Sequence, residues 1–213
     1  MTSPLAPNQS EPIPQIRQPD QNRLHRLSSF HHIELFEANA VKEAFGKHAH
    51  DSFAIGAITQ GVGGYWCRGA QHALPTQTLS LMNPEELHTG YALADGLRYK
   101  MLYVSEAAVQ QVLELPHPKG FQSITPVDHD GRISAALLAL ASTLNQPESW
   151  PDYQMRAEEI LTQTLALVFE RHGREITRAP GRENRLIQRA QDIIDAHVDS
   201  HATEPLGIQA LAS

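Results

Sequence analysis

Hydrophobic residues between residues 27 and 130 occur in short runs that Gly, Pro and Asn separate. Four of these runs are Ser52–Thr59, Gly64–Arg68, Leu79–Met82 and Arg98–Val104. Short apolar segments bounded by turn residues are typical of all-β sandwiches and barrels. The pattern therefore predicts a β-barrel over residues 27–130. One helix is predicted to interrupt it at Glu106–Leu115, because Ser105 is a suitable N-cap.

The segment 131–173 has the periodicity of two helices joined by a turn. An apolar stripe at helical spacing runs from Ile133 to Leu144, and a second helix is predicted from about Asp152 to His172. The apolar residues of the second helix are spread widely enough to indicate contact on two sides. Such a pair can pack back on the barrel or against a second copy across a two-fold axis. We interpret residues 131–173 as a helical dimerisation region.

The two ends of the chain differ from this central part. Residues 1–26 are rich in proline and lack a hydrophobic period, which predicts a disordered or loosely held arm. Residues 174–183 read as a linker around Pro180 and Gly181. Residues 184–213 predict an amphipathic helix, a turn near Pro205 and the opening of a second helix. This is the start of a helix-turn-helix without its base-contacting helix, or, alternatively, an amphipathic helix that ends a bundle.

Composition and charge narrow the class of protein. The chain has 213 residues, of which 41% are hydrophobic and 19% charged, with a net charge of −7. We expect a cytoplasmic protein with no membrane partner, because the sequence shows no membrane span, no secretion signal and one cysteine, Cys67. The acidic balance argues against nucleic-acid binding by this segment as a whole. Six arginines between Glu170 and Arg189 mark either a solvated face or an approach to DNA.

Three histidines have the pattern of a shared site. His48 and His50 are two residues apart, which on a strand places them on one face, and His88 follows the turn at Asn83-Pro84. Three imidazoles suit zinc or another divalent transition metal with an open fourth position, and Glu86 is a conceivable further ligand. The alternative is that these histidines hydrogen-bond a ligand or one another.

This pattern resembles the cupin family, which implies an α+β protein with a double-stranded β-helix, or jelly-roll, barrel. His48, His50 and His88 match the histidines of the two cupin motifs by position. The carboxylate of the first motif is replaced by Ala54 or Ile55, and Glu86 stands in place of a glycine. These departures weaken the prediction of cupin catalysis, so we expect no enzyme activity.

The whole order of parts resembles AraC-type transcriptional regulators. The stretches that carry the likeness are His48-Ala49-His50-Asp51, Phe53–Ile58, Gly61–Gly64, Pro84–His88, Leu97–Val104 and the tail Ile208-Gln209-Ala210-Leu211-Ala212-Ser213. The resemblance implies the ligand-sensing and dimerisation region of a regulator, followed by the start of its helix-turn-helix domain. It implies a small-molecule effector, a homodimer and DNA contact through a C-terminal domain that lies beyond this sequence.

The predicted ligand site extends beyond the histidines. Its residues are His48, His50, His88, Tyr65, Tyr99, Met101 and Tyr103. Tyr65 and Trp66 point to opposite faces of a strand, so only one of them can look inward. With Arg68 nearby, we expect a small polar or anionic effector. Two rivals remain open: a metal-dependent cupin enzyme, such as a dioxygenase or isomerase, and a non-catalytic cupin binding module.

Overall fold

The computed structural model describes residues 22–27, 33–41 and 44–174. Within these ranges the chain forms nine strands and three helices. The strands are β1 Arg23–Arg26, β2 Ile33–Val41, β3 Phe45–His48, β4 Ser52–Gln60, β5 Val62–Cys67, β6 Ala70–Pro75, β7 Leu79–Met82, β8 His88–Ala92 and β9 Leu97–Ser105. The helices are α1 Glu106–Leu113, α2 Arg132–Leu144 and α3 Tyr153–His172.

The strands form two antiparallel sheets that face each other. The larger sheet has the order β1-β2-β9-β4-β7, and the smaller has the order β3-β8-β5-β6. From β2 onward the chain alternates between the two sheets, except at the hairpin of β5 and β6, as in a jelly roll. The prediction of an α+β fold with a cupin-like double-stranded β-helix barrel is therefore confirmed.

Both faces of the larger sheet are covered around β4, which explains why this strand is buried at every position from Ser52 to Ile58. One face packs under the helices, where Leu35, Ile55 and Leu102 share a core with residues of α2 and α3. The opposite face looks into the barrel and carries Ala54, Ile58 and Met82. A strand buried on both sides reads as a nearly continuous apolar run.

The helices agree with their predicted positions to within two residues. The Ser105 side chain caps α1 by accepting a hydrogen bond from the backbone N–H of Ala108 at 3.2 Å. The helix ends at Leu113 rather than Leu115, because Glu114 adopts a left-handed conformation with φ 53°. The pair α2 and α3 packs back on the barrel, one of the two arrangements that the sequence left open. Within the described residues, no helix combines the length and apolar character needed to span a membrane.

The prediction that residues 1–26 form a disordered or loosely held arm is wrong for the last four of these residues. Arg23–Arg26 form β1, which pairs antiparallel with β2. The strand is held by partners far along the chain: Arg23 donates a hydrogen bond to Asn145 at the end of α2, and His25 contacts Glu37 at 2.7 Å. Residues 1–21, the linker beyond Arg174 and the predicted helix-turn-helix segment, residues 184–213, lie outside the described residues.

Candidate functional site

The structure brings the three predicted histidines together at one end of the barrel. His48 ends β3 and pairs with His88, the first residue of β8. Their ring centroids are 4.3 Å apart, and the ring of His50 lies 5.0 Å from that of His88 and 6.4 Å from that of His48. His50 follows the end of β3, so the predicted same-strand geometry is wrong. The turn into β4 places its ring in the cluster instead.

A backbone carbonyl fixes the protonated nitrogen of each ring. Nδ1 contacts the carbonyl oxygen of Gly46 at 2.8 Å in His48, of Ser52 at 2.8 Å in His50 and of Glu86 at 2.7 Å in His88. A carbonyl only accepts hydrogen bonds, so each Nδ1 must donate. In the neutral imidazole Nε2 is then the acceptor. The cluster therefore offers three acceptor nitrogens to a ligand donor or a metal.

Burial keeps the two inner rings of this cluster uncharged at neutral pH. Desolvation, reinforced by the neighbouring His48, lowers the pKa of His88 from 6.5 to about 4. The same desolvation lowers the pKa of His50, although Ser52, Asp51 and Glu85 oppose it. His50 and His88 are thus neutral imidazoles at pH 7.

The lowered pKa of His88 predicts loss of stability in acid. Because the folded state holds this pKa below 6.5, the unfolded chain binds more protons as the pH falls from 6.5 to about 4. The stability is therefore fully present above pH 6.5 and is lost toward pH 4. We expect a loss of about 1–2 kcal/mol, because solvent near the exposed His48 partly rehydrates the charged ring.

Urea denaturation between pH 6.5 and 4, in the presence of a chelator, measures this loss of stability. In His88→Asn the side-chain amide can still donate to Glu86, but it does not titrate, so the pH dependence should flatten. The exposed His117 supplies the matched control, His117→Asn. Equal acid sensitivity in wild type and His88→Asn would contradict the prediction.

The conceivable metal ligand Glu86 is engaged elsewhere. One carboxylate oxygen forms an ion pair with Nε of Arg68, and the other accepts hydrogen bonds from the backbone N–H and side-chain amide of Asn83 at 2.9 and 3.1 Å. Arg68 also donates to the carbonyls of Gln122 and Phe121 at 2.6 and 2.8 Å. Both side chains brace this loop, and the roles predicted for them at the ligand site stay predictions.

A further carboxylate near the histidines, Glu85, was not predicted from the sequence. Its oxygen Oε2 is buried without a hydrogen-bond partner, and its charge raises the pKa of His50. Its backbone has φ 61°, and its N–H donates to the carbonyl of His50 at 2.8 Å. Across the described ranges, no three His, Cys, Asp or Glu side chains are arranged as a metal centre. The three histidines and Glu85 therefore do not form a complete metal site in this structure.

A cavity of about 300 Å³ lies between the two sheets beside the histidine cluster. Six of the seven predicted site residues line it, and His50 packs behind it, edge-on to Tyr103 at 5.2 Å. The lining residues are Leu24, Phe36, Phe45, His48, Ile58, Gly63, Gly64, Tyr65, Leu74, Ser80, Met82, His88, Thr89, Gly90, Tyr91, Leu97, Tyr99, Met101 and Tyr103. Leu24 and Phe45 are 49% and 42% exposed, so they mark the mouth.

Two glycines make room for the side chains that shape the cavity. A Cβ atom on Gly56 would lie 2.7 Å from the terminal carbon of Met101, and one on Gly64 would lie 2.5 Å from the ring of Tyr91. Each side chain therefore lies directly against a glycine backbone. Tyr91, Phe36 and Phe45 were not predicted as site residues, although their aromatic character on barrel strands was a usable signal.

Polar groups are few on the inner wall. Tyr65 points inward, as one of the two neighbouring aromatics must, and its hydroxyl donates to the carbonyl of Ile124 at 2.9 Å. Trp66 faces outward beneath Lys47, whose nitrogen is 4.6 Å from the ring centroid. The Ser80 hydroxyl is buried and has no hydrogen-bond partner, although it lies close enough to Tyr65 to lower the pKa of that phenol slightly against the dominant effect of burial.

Three tyrosines and the cysteine near the cavity are also uncharged. Burial raises the pKa values of Tyr65, Tyr99 and Tyr103, so their phenols stay protonated. Burial likewise raises the pKa of the Cys67 thiol to about 11. Cys67 therefore behaves as a small buried hydrophobic side chain.

Comparisons with known proteins agree with this architecture. The family model described as the AraC-like ligand binding domain matches residues 30–165. ToxT from Vibrio cholerae is similar at 11% identity with a TM-score of 0.49, covering 84% of this chain and 68% of ToxT. A cupin 2 conserved barrel domain protein from Salinispora arenicola is similar at 15% identity with a TM-score of 0.36, covering 50% of this chain and 96% of that protein.

A third similar structure is oxalate decarboxylase from Bacillus subtilis, at 12% identity with a TM-score of 0.31. The match covers 35% of this chain and 21% of the decarboxylase. No curated protein matches the sequence. The family assignment therefore rests on the sequence match over residues 30–165, which spans most of the barrel and of the helix pair. This chain belongs to the family of AraC-like ligand binding domains.

Proposed function

We propose that this chain is the ligand-sensing and dimerisation region of an AraC-type transcriptional regulator that responds to a small molecule. The observation that supports it most directly is the cavity of about 300 Å³ inside a barrel of the AraC-like ligand binding family. A cavity of this size, lined by aromatic residues and a few polar groups, is typical of small-molecule sites. The effector enters it at the mouth formed by Leu24 and Phe45.

The larger sheet offers a physical connection from the cavity to the helices. Phe36 lines the cavity, whereas its neighbour Glu37 lies on the opposite face of β2. Glu37 accepts hydrogen bonds from Lys100 on β9 and, at 2.7 Å, from Asn145 at the end of α2. A ligand that shifts β2 against β9 therefore also shifts the contact with α2. The ligand then changes the relative populations of two arrangements of barrel and helices.

The partners of the full regulator follow from the family. Two copies of this cytoplasmic protein associate through the helix pair, where Leu138 on α2 and Met155 on α3 are 44% and 64% exposed. In this proposal, a helix-turn-helix domain of the full regulator makes the DNA contact. A chain that stays monomeric at high concentration in sedimentation equilibrium would contradict the dimer.

We also propose that the site binds its ligand without catalysis. Glu86 is tied to Arg68 and Asn83, and no charged side chain among the described residues lines the cavity. The remaining candidate for a metal such as zinc is the cluster His48, His50 and His88. Metal analysis of the purified chain, before and after His88→Asn, tests this directly. A stoichiometric metal together with an activity that the substitution abolishes would favour the cupin enzyme instead.

The ligand-sensing proposal is tested by a compound screen against wild type and two glycine variants. In Gly56→Ala the new methyl group displaces the flexible end of Met101 into the cavity. In the control Gly46→Ala nothing lies within 4 Å of the new methyl group. A ligand present at about 100 times its Kd should raise the Tm of wild type and of Gly46→Ala by about 5–10 °C.

The same ligand should raise the Tm of Gly56→Ala much less, because the displaced Met101 side chain fills part of the cavity. Thermal unfolding with a panel of sugars, carboxylates, amines and neutral aromatics measures the shift. The ligand-sensing proposal fails if no compound shifts the Tm, or if every shift is equal in Gly56→Ala and Gly46→Ala.

A further inference from the structure

The polarity of the cavity wall restricts the chemical class of the effector. We infer that the effector is an uncharged, mainly apolar compound, carrying a hydrogen-bonding group that the Ser80 hydroxyl anchors. This inference rests on the proposed function, since it concerns the ligand of the same cavity. The sequence predicted a polar or anionic effector, with Arg68 near it. In the structure the Arg68 side chain instead donates to the carbonyls of Phe121 and Gln122, so it does not line the cavity.

Charged side chains near the barrel are directed away from the cavity. No lysine, arginine, aspartate or glutamate lines it within the part of the chain that the structure describes. Lys100 extends from the opposite face of β9 to Glu37, and Arg68 pairs with Glu86. An ionised ligand would therefore lose its hydration without gaining a countercharge, which is costly.

The deep wall of the cavity is apolar. Ile58, Leu74, Met82 and Leu97 are each no more than 5% exposed. A ligand with many hydroxyl groups would lose hydrogen bonds to water against this wall, because aliphatic side chains offer no replacement. An aromatic or alicyclic ligand instead gains by burying its apolar surface there.

Ser80 is the exception on this wall. It is 1% exposed, and its hydroxyl lies near that of Tyr65 but forms no hydrogen bond of normal geometry, because the Tyr65 hydroxyl donates to the carbonyl of Ile124. A buried hydroxyl without a partner costs free energy, and a ligand group that satisfies it recovers this cost. Gly56 on β4 lies between Ser80 on β7 and Met101 on β9, and the end of the Met101 side chain lies over Gly56. The flexible thioether of Met101 can adjust around the ligand.

The size of the cavity sets an upper limit on the ligand. A volume of about 300 Å³ corresponds to about ten water molecules. This is enough for a compound of two fused aromatic rings with one small substituent. Such compounds therefore serve as probes of the wall.

Isothermal titration of the full chain at pH 7 with four probes tests the inference. The probes are 2-naphthol, naphthalene, 2-naphthoate and glucose. We expect 2-naphthol to bind at least about 10-fold more tightly than 2-naphthoate, because the carboxylate must be buried without a partner. Glucose should bind more weakly than 2-naphthol and naphthalene. In Ser80→Ala the affinity for 2-naphthol should fall about 3- to 10-fold, whereas that for naphthalene should not change.

Two features keep the test decisive. Ser80→Ala removes an unpartnered hydroxyl from a buried position, so the variant should keep its fold. Ser142 is exposed on α2, and Ser142→Ala is the matched control that should leave all four affinities unchanged. A Ser80→Ala variant that weakens 2-naphthol and naphthalene equally would overturn the role of Ser80 as an anchor.

The other outcomes separate this inference from the proposed function. Binding of 2-naphthoate or glucose as tightly as 2-naphthol overturns the uncharged, apolar class but leaves ligand sensing in place. Absence of binding by all four probes also overturns the class. In that case a sugar, amine or carboxylate that raises the Tm in the glycine-variant screen would keep the proposed function, whereas its failure there as well would remove both.

Discussion

Replacing Glu37 by glutamine should lower the free energy of unfolding by about 3–5 kcal/mol, because it breaks a buried ion pair on one side only. Glu37 is 6% exposed. Its carboxylate accepts hydrogen bonds from Lys100, from His25 Nε2 at 2.7 Å and from Asn145 Nδ2 at 2.7 Å. Glutamine has one acceptor oxygen and no charge, so at least one donor loses its partner and the Lys100 ammonium remains buried without a counterion.

The protonation of Glu37 follows from the same contacts. Burial alone would raise its pKa, but the hydrogen bonds from Lys100, His25 and Asn145 outweigh burial, and the pKa is lowered from 4.5. A carboxylate with a lowered pKa contributes stability that is present above pH 4.5 and is lost as the pH falls through its folded-state pKa. Glu37→Gln should abolish this part of the acid sensitivity.

Glu34→Gln is the matched control on the same strand. Glu34 pairs with Arg26 at 2.9 Å, but their side chains are 37% and 78% exposed, so the loss should be below about 0.5 kcal/mol. Urea denaturation at pH 7 measures both variants. In the double variant Glu37→Gln/Lys100→Met much of the lost stability should return, because no unpaired charge stays buried. Equal losses in Glu37→Gln and Glu34→Gln would show that the contacts of Glu37 with Lys100, His25 and Asn145 add no stability beyond that of an exposed ion pair.

The strands and helices of the barrel could be predicted from the sequence because their periodicity is local. The stripe from Ile133 to Leu144 and the capping residue Ser105 each identify an element without reference to the rest of the fold. Strand β1 could not be predicted in this way. Its four residues are fixed by contacts with Glu37 and Asn145, which lie up to 122 residues away.

The site was predictable in its residue types but not in its polarity. The spacing of His48, His50 and His88 led to the correct cluster of rings, because the ends of β3 and β8 meet in a jelly roll. Glu85 lies near the histidines on a backbone with positive φ, which the sequence pattern did not reveal. Which way Arg68 turned depended on the carbonyls of a loop more than fifty residues further on. Such long-range contacts leave no trace in a local pattern.

Replacing Phe169 by alanine should also lower the free energy of unfolding by about 3–5 kcal/mol. Phe169 is 7% exposed in the last turns of α3. Its ring centroid lies 5.2 Å from that of Phe53 on β4 and 5.2 Å from that of Phe121. Phe53 and Phe121 are themselves 5.4 Å apart, so the three rings form one aromatic cluster between helix and barrel. Truncation to alanine leaves a cavity in this cluster that the neighbouring rings cannot fill.

Met155→Ala is the control for this prediction, because Met155 is 64% exposed on the same helix and should cost less than about 0.5 kcal/mol. Phe169→Leu, which keeps most of the apolar volume, should fall between the two and guards against a variant that fails to fold. Urea denaturation gives the free energies, and hydrogen exchange should show the loss of protection concentrated at the end of α3.

The position of Phe169 makes its effect relevant to signalling. Just after it, Gly173 forms a bridge with Phe121, and the N–H of Arg174 donates to the carbonyl of Gly120 at 2.8 Å. The end of α3 is thus fixed to the barrel at the last residues that the structure describes. If ligand binding is transmitted through this attachment, Phe169→Ala should still bind ligand in the barrel but no longer protect the end of α3 when ligand is added. Unchanged ligand-induced protection in Phe169→Ala would place the coupling elsewhere, with the Glu37 contact to α2 as the remaining connection.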